Sequence, residues 1–525
     1  MPEPDRSPSV NVGSWLAARA GLHPSRPALI VDATGERVDY AELNGLANRV
    51  AQLLLRRGVK PGDRLALALH SEPLYLAVYF AAAKIGAILI PLNTRLAAPE
   101  LAAQLLDAEA TLAIRASDIE VGGQTPELLR DDLVNALPPA SRGQADDVGE
   151  PPLAPGGEAP QVLMYTSGTT GRPKGAVLPH RKTLFNCLNA ERYFGLGEDD
   201  IVAAPVPLFH SYGLKILSVP ALFAGASVLL VDRFDPLGLQ QSLARERATL
   251  LGGVPVMLRR MLRAGLEPAC FESLRFAFSA GAPLDADTIR AYAEIGVPVL
   301  QGYGQTETSI LCCVDPEHAL SKAGSVGRPV EHGEVRIGDA EGREVAAGVS
   351  GEVLVRGPIC MLGYWRQPEA TRAARIGEWH RTGDLGVRDA DGFVTLVGRL
   401  KEMYISGGEN VYPAEVERVL EEHPDVAEAA VVGIADPEWG EVGRAYVVAA
   451  HGGRTGPADP AQALDVDALL DWTRGRLAGF KRPREVVVVD ELPRTASGKV
   501  QKHLLEGRRS ADAARGDGAA PGDGV

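Results

Sequence analysis

The sequence has no excess of positive charge, few cysteines and no uninterrupted hydrophobic run of membrane-spanning length. Lys and Arg together number 54 against 68 Asp and Glu, which gives a net charge of −14. Because binding to nucleic acid requires clustered Lys and Arg, this balance excludes a general nucleic-acid-binding surface. We therefore expect no nucleic-acid partner.

The 5 cysteines are scattered along the chain, and no pair has the spacing of a metal-ligand motif. An odd, scattered set fits a reducing compartment better than a disulfide framework. We interpret the adjacent residues Cys312 and Cys313 as buried packing. The first ten residues, MPEPDRSPSV, contain acid and proline but no apolar core, so we expect no secretory signal and a cytoplasmic location.

The nearest approach to a membrane span is the apolar segment of residues 74–92. Lys84 and Gly86 interrupt this segment and Pro91 ends it. We interpret it as a buried helix followed by a buried strand, and we expect no integral membrane segment.

The length of 525 residues is too great for one core and predicts at least two domains. Residues 39–58 begin with a capping box at Asp39 and Glu42 and continue with apolar residues on one helical face. A strand pattern at Leu65, Leu67 and Leu69 follows, and this alternation of helix and strand predicts α/β layers.

Residues 138–160 are crowded with Pro, Gly and acid and predict a surface excursion. The apolar run of residues 162–164 then predicts a strand that leads into the loop of residues 165–176, YTSGTTGRPKGA. The glycines of this loop allow close backbone approach, and its hydroxyl groups together with Lys174 suit a polyphosphate. The loop is not a Walker A sequence, since two residues separate Gly168 from Gly171 and Gly175 follows the lysine. An ordinary glycine-rich surface turn is the alternative.

Two further glycine-bearing turns follow apolar segments, SAGAP at residues 279–283 and QGYGQTE at residues 301–307. Gly302 and Gly304 are expected to leave room for Tyr303 to lie against a flat base. Glu307 offers the hard oxygen ligand that Mg²⁺ prefers.

The later part of the chain contains four more glycine or basic segments. GEVLVRGP and WHRTGD place Asp384 after a tight turn, where a carboxylate can accept both ribose hydroxyls, and a solvent-facing turn aspartate is the alternative. Residues 405–416, ISGGENVYPAEV, predict a glycine loop that enters a helix at Pro413. Strand-like runs and one more helix follow, and PRTASGK ends at Lys499, so this part predicts a compact α+β unit.

In their order, these segments resemble the signatures of the adenylate-forming superfamily, which includes acyl-CoA synthetases, luciferases and the adenylation domains of peptide synthetases. The resemblance covers roughly residues 40–502. It implies a large, multi-lobed N-terminal domain of α/β layers at residues 1–398, which binds ATP and the acid, and a small, mobile α+β lid domain at residues 399–507. The polar tail of residues 508–525 is expected to be disordered.

The resemblance also implies the site residues. The catalytic residues are Lys499, Glu307 as the magnesium ligand, and His210. The ATP-binding residues are Thr166, Ser167, Gly168, Thr169, Thr170, Gly171, Lys174, Gly281, Ala282, Pro283, Gly302, Tyr303, Gly304, Thr306, Asp384 and Arg399. Lys401 is the hinge. The acyl pocket comprises His210, Tyr212, Lys215 and Gly281, and the CoA tunnel comprises Ser406, Gly407, Gly408 and Glu409.

The activity implied is that of an ATP-dependent carboxylic acid:CoA ligase, which uses Mg²⁺ and coenzyme A and alternates its domains between an adenylating and a thioester-forming half-reaction. The acid is fatty or aromatic, and the enzyme is a monomer or homodimer. A stand-alone adenylating enzyme that serves a carrier protein or an amine, or that activates a small oxyanion such as nitrite, is the alternative. A nucleotide-binding regulatory protein without turnover would need to lack Glu307 or Lys499, and both are present.

Lys215 is a cation in the apolar segment of residues 214–222. Because a buried unpaired ammonium is costly, Lys215 must reach solvent, find a protein carboxylate or meet a polar group of the substrate. Snorkelling to solvent is the plainer interpretation. The other predicts an acid with a polar or anionic end opposite its reacting group.

Overall fold

The computed structural model describes residues 7, 10–137, 149–166, 173–407, 409–450, 464–474, 476–494 and 500–505. Its strands are β1 Pro27–Val31, β2 Arg37–Asp39, β3 Arg64–Ala68, β4 Ile88–Pro91, β5 Leu112–Arg115, β6 Glu127–Leu129, β7 Pro160–Thr166, β8 Lys174–Pro179, β9 Ile201–Ala204, β10 Ser227–Leu230, β11 Leu250–Gly253, β12 Phe276–Ser279, β13 Val299–Gln305, β14 Ser309–Cys313, β15 Arg328–Pro329, β16 Glu334–Gly338, β17 Ser350–Arg356, β18 Gly363–Tyr364, β19 Arg375–Ile376, β20 Trp379–Arg388, β21 Val394–Arg399, β22 Tyr404–Ser406, β23 Glu409–Val411, β24 Val426–Asp436, β25 Gly440–Ala449 and β26 Glu485–Val488.

The helices alternate with the strands through most of the chain. They are α1 Ser14–Leu22, α2 Tyr40–Arg56, α3 Pro73–Ile85, α4 Ala98–Asp107, α5 Arg130–Ala136, α6 His180–Tyr193, α7 Val219–Ala224, α8 Pro236–Glu246, α9 Pro255–Ala264, α10 Ala286–Glu294, α11 Pro368–Ala373, α12 Pro413–Glu421 and α13 Val466–Thr473. A π-helix spans Tyr212–Ser218, and 3₁₀ turns span Pro268–Phe271, Pro316–His318, Gly479–Lys481 and Lys502–Leu504. None of the helices in the described ranges is both long and apolar enough to cross a membrane.

Two large sheets are parallel in their centres. One has the strand order β15-β14-β13-β12-β11-β9-β10-β1-β2, and the other has the order β18-β8-β7-β4-β3-β5-β6. Antiparallel pairs occur only toward their ends, as between β13 and β14 and between β7 and β8. The carboxyl ends of neighbouring parallel strands lie at one edge of a sheet, which is where ligands bind in α/β folds. The predicted α/β layers are confirmed.

Two smaller sheets complete the topology. One has the order β16-β17-β20-β19 with β21 beside β20, and the other has the order β23-β22-β25-β24 with β26 beside β25. In the latter, the long pair β24 and β25 is antiparallel, whereas β26 joins β25 in parallel. This last sheet and its helices have the predicted α+β character.

The chain divides into two compact units. The first comprises Met1–Glu344, Leu354–Thr382 and Arg388–Thr395, and the second comprises Val345–Val353, Gly383–Val387 and Leu396–Val525. In the first, the sheet that contains β11 and β12 carries a core of aliphatic residues with Phe271 and Tyr292. In the second, helix α12 places Val416, Val419 and Leu420 in the core, as its apolar face predicts.

Local sequence signals account for several of these elements. Helix α2 begins with the predicted capping box, in which the Asp39 side chain accepts from Glu42 N and the Glu42 side chain accepts from Asp39 N. Residues 74–92 form the buried helix α3 and the buried strand β4, as expected. The apolar run before the glycine loop is strand β7, and Cys312 and Cys313 are buried in β14.

Candidate functional site

Glu307 lies in the short turn between β13 and β14, and its side chain is 8% exposed. Its Oε1 atom accepts a hydrogen bond from Tyr364 Oη at 3.0 Å and another from Thr166 Oγ1 at 3.3 Å. Burial and the neighbouring carboxylate raise the pKa of Tyr364, so its hydroxyl stays protonated and donates. No described residue donates a hydrogen bond to the Oε2 atom.

The turn that carries Glu307 is held by its own backbone and side chains. Thr308 N donates to Gln305 O at 3.1 Å, and Gln305 N donates to Thr308 Oγ1 at 3.2 Å. Glu307 O accepts from Met361 N at 2.8 Å. The backbone on both sides of Glu307 is thus held by hydrogen bonds, and Thr306 is half-buried.

Strands β7 and β8 enclose the predicted phosphate loop. Their antiparallel register runs to the pair of Thr166 and Lys174, so both ends of the predicted loop of residues 165–176 belong to strands. Lys174 Nζ lies 5.2 Å from the ring centroid of Tyr364, a cation–π distance. Outside the described residues lie the predicted ATP-binding residues Ser167, Gly168, Thr169, Thr170 and Gly171. Thr166 is therefore one of the two hydroxyl donors to Glu307, and Lys174 lies near the other donor, Tyr364.

The SAGAP segment leaves the carboxyl end of β12, where Gly281, Ala282 and Pro283 are exposed. Ser279 pairs with Gln301 of the neighbouring parallel strand. Ser279 Oγ and Gln301 Nε2 are buried and make no hydrogen bond with the described residues. Unpartnered polar atoms at the carboxyl ends of two parallel strands are typical of a ligand site.

The two glycines of QGYGQTE lie in close contact with other parts of the protein, which the sequence did not predict. A Cβ atom at Gly302 would meet the Phe278 ring at 2.5 Å, and one at Gly304 would meet Ser309 O at 1.9 Å. Protein atoms fill the space beside both glycines, and Tyr303 is buried with 7% exposure. Protein packing therefore requires a glycine at both positions, and the expectation that Tyr303 lies against a flat base stays a prediction.

His210 precedes the π-helix and is half-buried. Its Nδ1 atom accepts from Tyr212 N at 3.2 Å, which assigns the proton of the neutral ring to Nε2. Burial and the charge of Arg95 lower the pKa of His210. The imidazole is therefore neutral near pH 7 and presents an N–H donor.

Tyr212 is buried and its hydroxyl contacts only backbone among the described groups. It donates to Phe278 O at 2.7 Å and accepts from Gly253 N at 3.0 Å. The rings of Tyr212 and Phe278 meet edge to face with centroids 5.8 Å apart. The end of β11, the end of β12 and the π-helix are thereby joined at one point.

Lys215 lies within the π-helix and is 2% exposed, so the snorkelling interpretation is wrong. Its ammonium donates to Tyr79 Oη at 3.2 Å, to Gln161 Oε1 at 3.2 Å and to Thr183 Oγ1. All three of these partners are neutral. Burial and the nearby charge of Lys182 lower its pKa well below the usual value.

Lys182 was not singled out from the sequence. It lies in the first turn of α6, is 1% exposed, and its Nζ donates to Ser309 Oγ at 2.5 Å. Burial lowers the pKa of Lys182 to about 7, against the opposing effects of Cys360 and Glu307. In the sequence HRKT the residue looks like part of a solvated basic face, so no local signal distinguishes it.

Tyr364 was also missed, although it follows Gly363 in the sequence GYWR. Gly363 pairs with Val177 of β8, and this pairing places Tyr364 beside Glu307, 57 residues away in sequence. The sequence shows an aromatic residue next to a glycine, but this pattern does not identify β8 as the partner strand.

In the second unit, the two predicted ribose-binding residues lie together. Arg399 Nε is 3.0 Å from Asp384 Oδ1, and Asp384 is 5% exposed. The turn before Asp384 is held by Gly383 N, which donates to Glu352 Oε1 at 3.0 Å. Lys401 is exposed in the turn that follows Arg399.

The predicted CoA-tunnel segment is a β-hairpin of β22 and β23 rather than an irregular loop. Ser406 pairs with Glu409 across its turn, Ser406 is buried, and Glu409 is exposed. Gly407 has φ +59° and lies so close to the Trp439 ring that a Cβ atom would meet it at 2.8 Å. Gly408 and Lys499 lie outside the described residues, as does the tail of residues 508–525.

Comparisons with known proteins identify the family of the chain. The family described as AMP-binding enzyme matches residues 16–365, and the family described as AMP-binding enzyme C-terminal domain matches residues 415–499. The chain is 40% identical over 494 residues to a feruloyl-CoA synthase from an Amycolatopsis species, covering 94% of this chain and 97% of that one. It is 38% identical over 506 residues to an indoleacetate–CoA ligase from Aromatoleum aromaticum, with coverage of 94% and 97%.

Solved structures of CoA synthetases also match the chain. The o-succinylbenzoate CoA synthetase of Bacillus subtilis in complex with ATP and a magnesium ion matches with a TM-score of 0.83 at 33% identity, covering 94% of this chain and 99% of that one. The chain belongs to the adenylate-forming superfamily, within the AMP-binding enzyme family of acyl-CoA synthetases, and is an acid–thiol ligase that uses ATP, Mg²⁺ and coenzyme A to act on a fatty or aromatic acid.

Proposed function

We propose that the acid joined to coenzyme A is a compact aromatic carboxylic acid rather than a long-chain fatty acid. Relatives named for feruloyl and indoleacetate substrates are 40% and 38% identical to this chain, whereas one named for long-chain fatty acids, matched over a similar share of the chain, is 34% identical. The aromatic side chains next to Tyr212 support this choice. Phe278 meets Tyr212 and Phe194 edge to face, and Phe194 contacts Phe276, so aromatic rings pack around Tyr212 of the predicted acyl pocket.

One observation carries the proposed ATP site, namely the two hydroxyl groups that hold Glu307. Thr166 belongs to the strand before the phosphate loop, and Tyr364 belongs to the segment that packs on the strand after it. Three distant parts of the sequence thus meet at one carboxylate oxygen. Its Oε2 atom, together with the hydroxyl oxygens nearby, forms the hard oxygen set that fits Mg²⁺.

Magnesium held at Glu307 would offset the negative charge of the triphosphate as the acid carboxylate approaches it. Tyr364 and Thr166 orient the Glu307 carboxylate. We assign to Lys174 and the loop hydroxyls the binding of the phosphates, and to Asp384 and Arg399 the binding of the ribose. Lys499 is proposed to donate to the reacting carboxylate.

We assign the base-binding face to the segment that follows β12, where Gly281, Ala282 and Pro283 are exposed. Ser279 Oγ and Gln301 Nε2 are buried behind this segment and have no hydrogen-bond partner among the described residues. The neutral His210 ring is proposed to line the path between the acid and the thiol. A neutral imidazole adds no charge that would repel or trap either one.

For the second half-reaction, we propose that residues 399–507 act as a lid that turns about Lys401 and exchanges the Lys499 segment for the β22–β23 hairpin. Attack of the CoA thiol on the acyl-adenylate expels AMP, a good leaving group, so little acid–base catalysis is required. We propose that the tunnel for the pantetheine arm is lined by Ser406, Gly407, Gly408 and Glu409. The close fit of Gly407 to Trp439 shows why a side chain at that position is unfavourable.

The experiment is a screen of acids by pyrophosphate release, followed by detection of the CoA thioester. Hydroxycinnamic, indoleacetic, substituted benzoic and C8–C18 fatty acids form the panel. The proposal requires kcat/KM for the best aromatic acid to exceed that for every fatty acid, and a preference for a fatty acid would contradict it. Replacing CoA by a phosphopantetheinyl carrier protein tests the alternative acceptor in the same assay.

A further inference from the structure

The hydrogen bond from Lys182 to Ser309 brings a buried cation into the turn that carries Glu307. The two atoms are 2.5 Å apart, and Lys182 is 1% exposed. Ser309 Oγ is the only hydrogen-bond acceptor of this ammonium among the described residues, and no described carboxylate lies within ion-pair distance of it. The cation is therefore buried against a single neutral hydroxyl.

Such a burial is unfavourable for folding. An ammonium loses its hydration on transfer to the interior, and one neutral hydrogen bond does not replace it. A methionine of similar length would fill the same volume without this cost. A stabilising effect therefore does not account for a lysine at position 182. The role of this lysine must lie in its contact with Ser309.

Ser309 has a backbone conformation that needs support. Its φ is +61°, in the left-handed region that residues with a side chain avoid. The pairing of β13 with β14 shifts register at this place, between Tyr303 and Gly304. Ser309 O lies directly against Gly304, where no side chain would fit. An anchor on the Ser309 side chain holds the strained residue in place.

Glu307 lies two residues before Ser309 in the same turn. Tyr364 and Thr166 hold its carboxylate from one side, and the conformation of Ser309 sets the path of the backbone on the other. We propose that Lys182 is a positioning residue, whose hydrogen bond to Ser309 fixes the turn of residues 306–309 and thereby the direction of the Glu307 carboxylate toward the metal of the ATP complex. This inference rests on the proposed role of Glu307.

The test compares Lys182→Met and Ser309→Ala with the parent enzyme. The first readout is Mn²⁺ binding in the presence of a non-hydrolysable ATP analogue, followed by electron paramagnetic resonance. We expect both variants to weaken metal binding about tenfold, the effect of losing one hydrogen bond to a charged group. The second readout is the magnesium dependence of pyrophosphate release, which should shift by the same factor, while thioester formation from preformed acyl-adenylate stays within about twofold of the parent.

Rescue separates positioning from general packing. Glycine adopts φ +61° without strain, so Ser309→Gly should not need the anchor. The double variant Lys182→Met/Ser309→Gly is therefore expected to bind Mn²⁺ more tightly than Lys182→Met/Ser309→Ala. Lys84→Met is the matched control, because Lys84 is another buried lysine but binds Asn44, Asn48 and Glu150 and does not contact this turn. It should lower the melting temperature without changing Mn²⁺ affinity.

Unchanged Mn²⁺ affinity in Ser309→Ala overturns the inference, and this variant decides the question alone if Lys182→Met does not fold. An equal loss of both half-reactions in Lys182→Met, without rescue by glycine, also overturns it. Failure of the proposed role of Glu307 looks different, since the parent enzyme itself would then bind no Mn²⁺ with the ATP analogue.

Discussion

The hydroxyl of Tyr364 donates to the carboxylate of Glu307 at 3.0 Å, joining two segments that are 57 residues apart in sequence. This contact orders one oxygen of the carboxylate and leaves the other without a described hydrogen-bond donor. Thr166, at the start of the glycine loop region, donates to the same oxygen at 3.3 Å.

Tyr364→Phe should reduce adenylation without unfolding the protein. The phenyl ring keeps the cation–π contact with Lys174, and only the donor to Glu307 is lost. Loss of a hydrogen bond to a charged group predicts a decrease in adenylation kcat/KM of about tenfold or more. Tyr40→Phe is the control, because it removes a buried hydroxyl that binds only the backbone of Leu222 and Ala226. If the two variants lose equal activity, the Tyr364 contact has no special role.

How far the sequence predicted these features depends on the range of the interactions. The Asp39 capping box and the apolar face of α12 are local patterns, so they could be read directly. Asp384 and Arg399 were predicted from the family resemblance, and the structure places them in contact. Their roles remain predictions.

Long-range contacts explain what the sequence did not show. Lys182 resembles a solvated residue until β14 is placed against α6, and Lys215 resembles a snorkelling residue until α3, β7 and α6 surround it. Gly302 and Gly304 were interpreted as space for a ligand, because the approach of Phe278 and Ser309 depends on strand pairing. In each case the missing information was the partner, not the residue type.

Lys499→Ala should abolish adenylation and leave thioester formation largely intact. The charge of this lysine is needed while pyrophosphate departs and not when the thiol attacks the acyl-adenylate. The measurement compares pyrophosphate release from ATP and acid with thioester formation from preformed acyl-adenylate in the same preparation. A parallel loss of both half-reactions would contradict the assignment of Lys499.

Lys215→Met is expected to change stability and not the ranking of acids. The Lys215 nitrogen is buried and already hydrogen-bonded to Tyr79, Gln161 and Thr183, so it is not available to a substrate. Removing a buried charge should raise the melting temperature, although Gln161 Oε1 loses one of its two donors. The check is a thermal melt together with kcat/KM for the acid panel. A selective loss of acids with an anionic far end would instead restore the hypothesis that Lys215 binds the substrate.

The burial of Lys182 predicts a pH-dependent stability of defined sign. Its pKa is lowered from 10.5 to about 7 by desolvation, so between these values the unfolded chain binds a proton that the folded chain does not. The contribution of Lys182 to the free energy of unfolding therefore rises with pH over that interval, by at most about 1.4 kcal/mol per pH unit for one proton. Below pH 7 both states are protonated, and the folded chain retains the full cost of the buried charge.

The measurement is the difference in melting temperature between Lys182→Met and the parent, taken at several values from pH 6 to pH 10. We expect the methionine variant to be more stable at pH 6, because it carries no buried charge, and the advantage to shrink as the pH rises and Lys182 becomes neutral in the folded parent. Lys60→Met is the matched control, since Lys60 is exposed and its replacement should give a difference that changes little over this range. An advantage that stays constant or grows with pH would mean that Lys182 keeps its proton in the folded protein, and the hydrogen bond to Ser309 would then be that of a permanent cation.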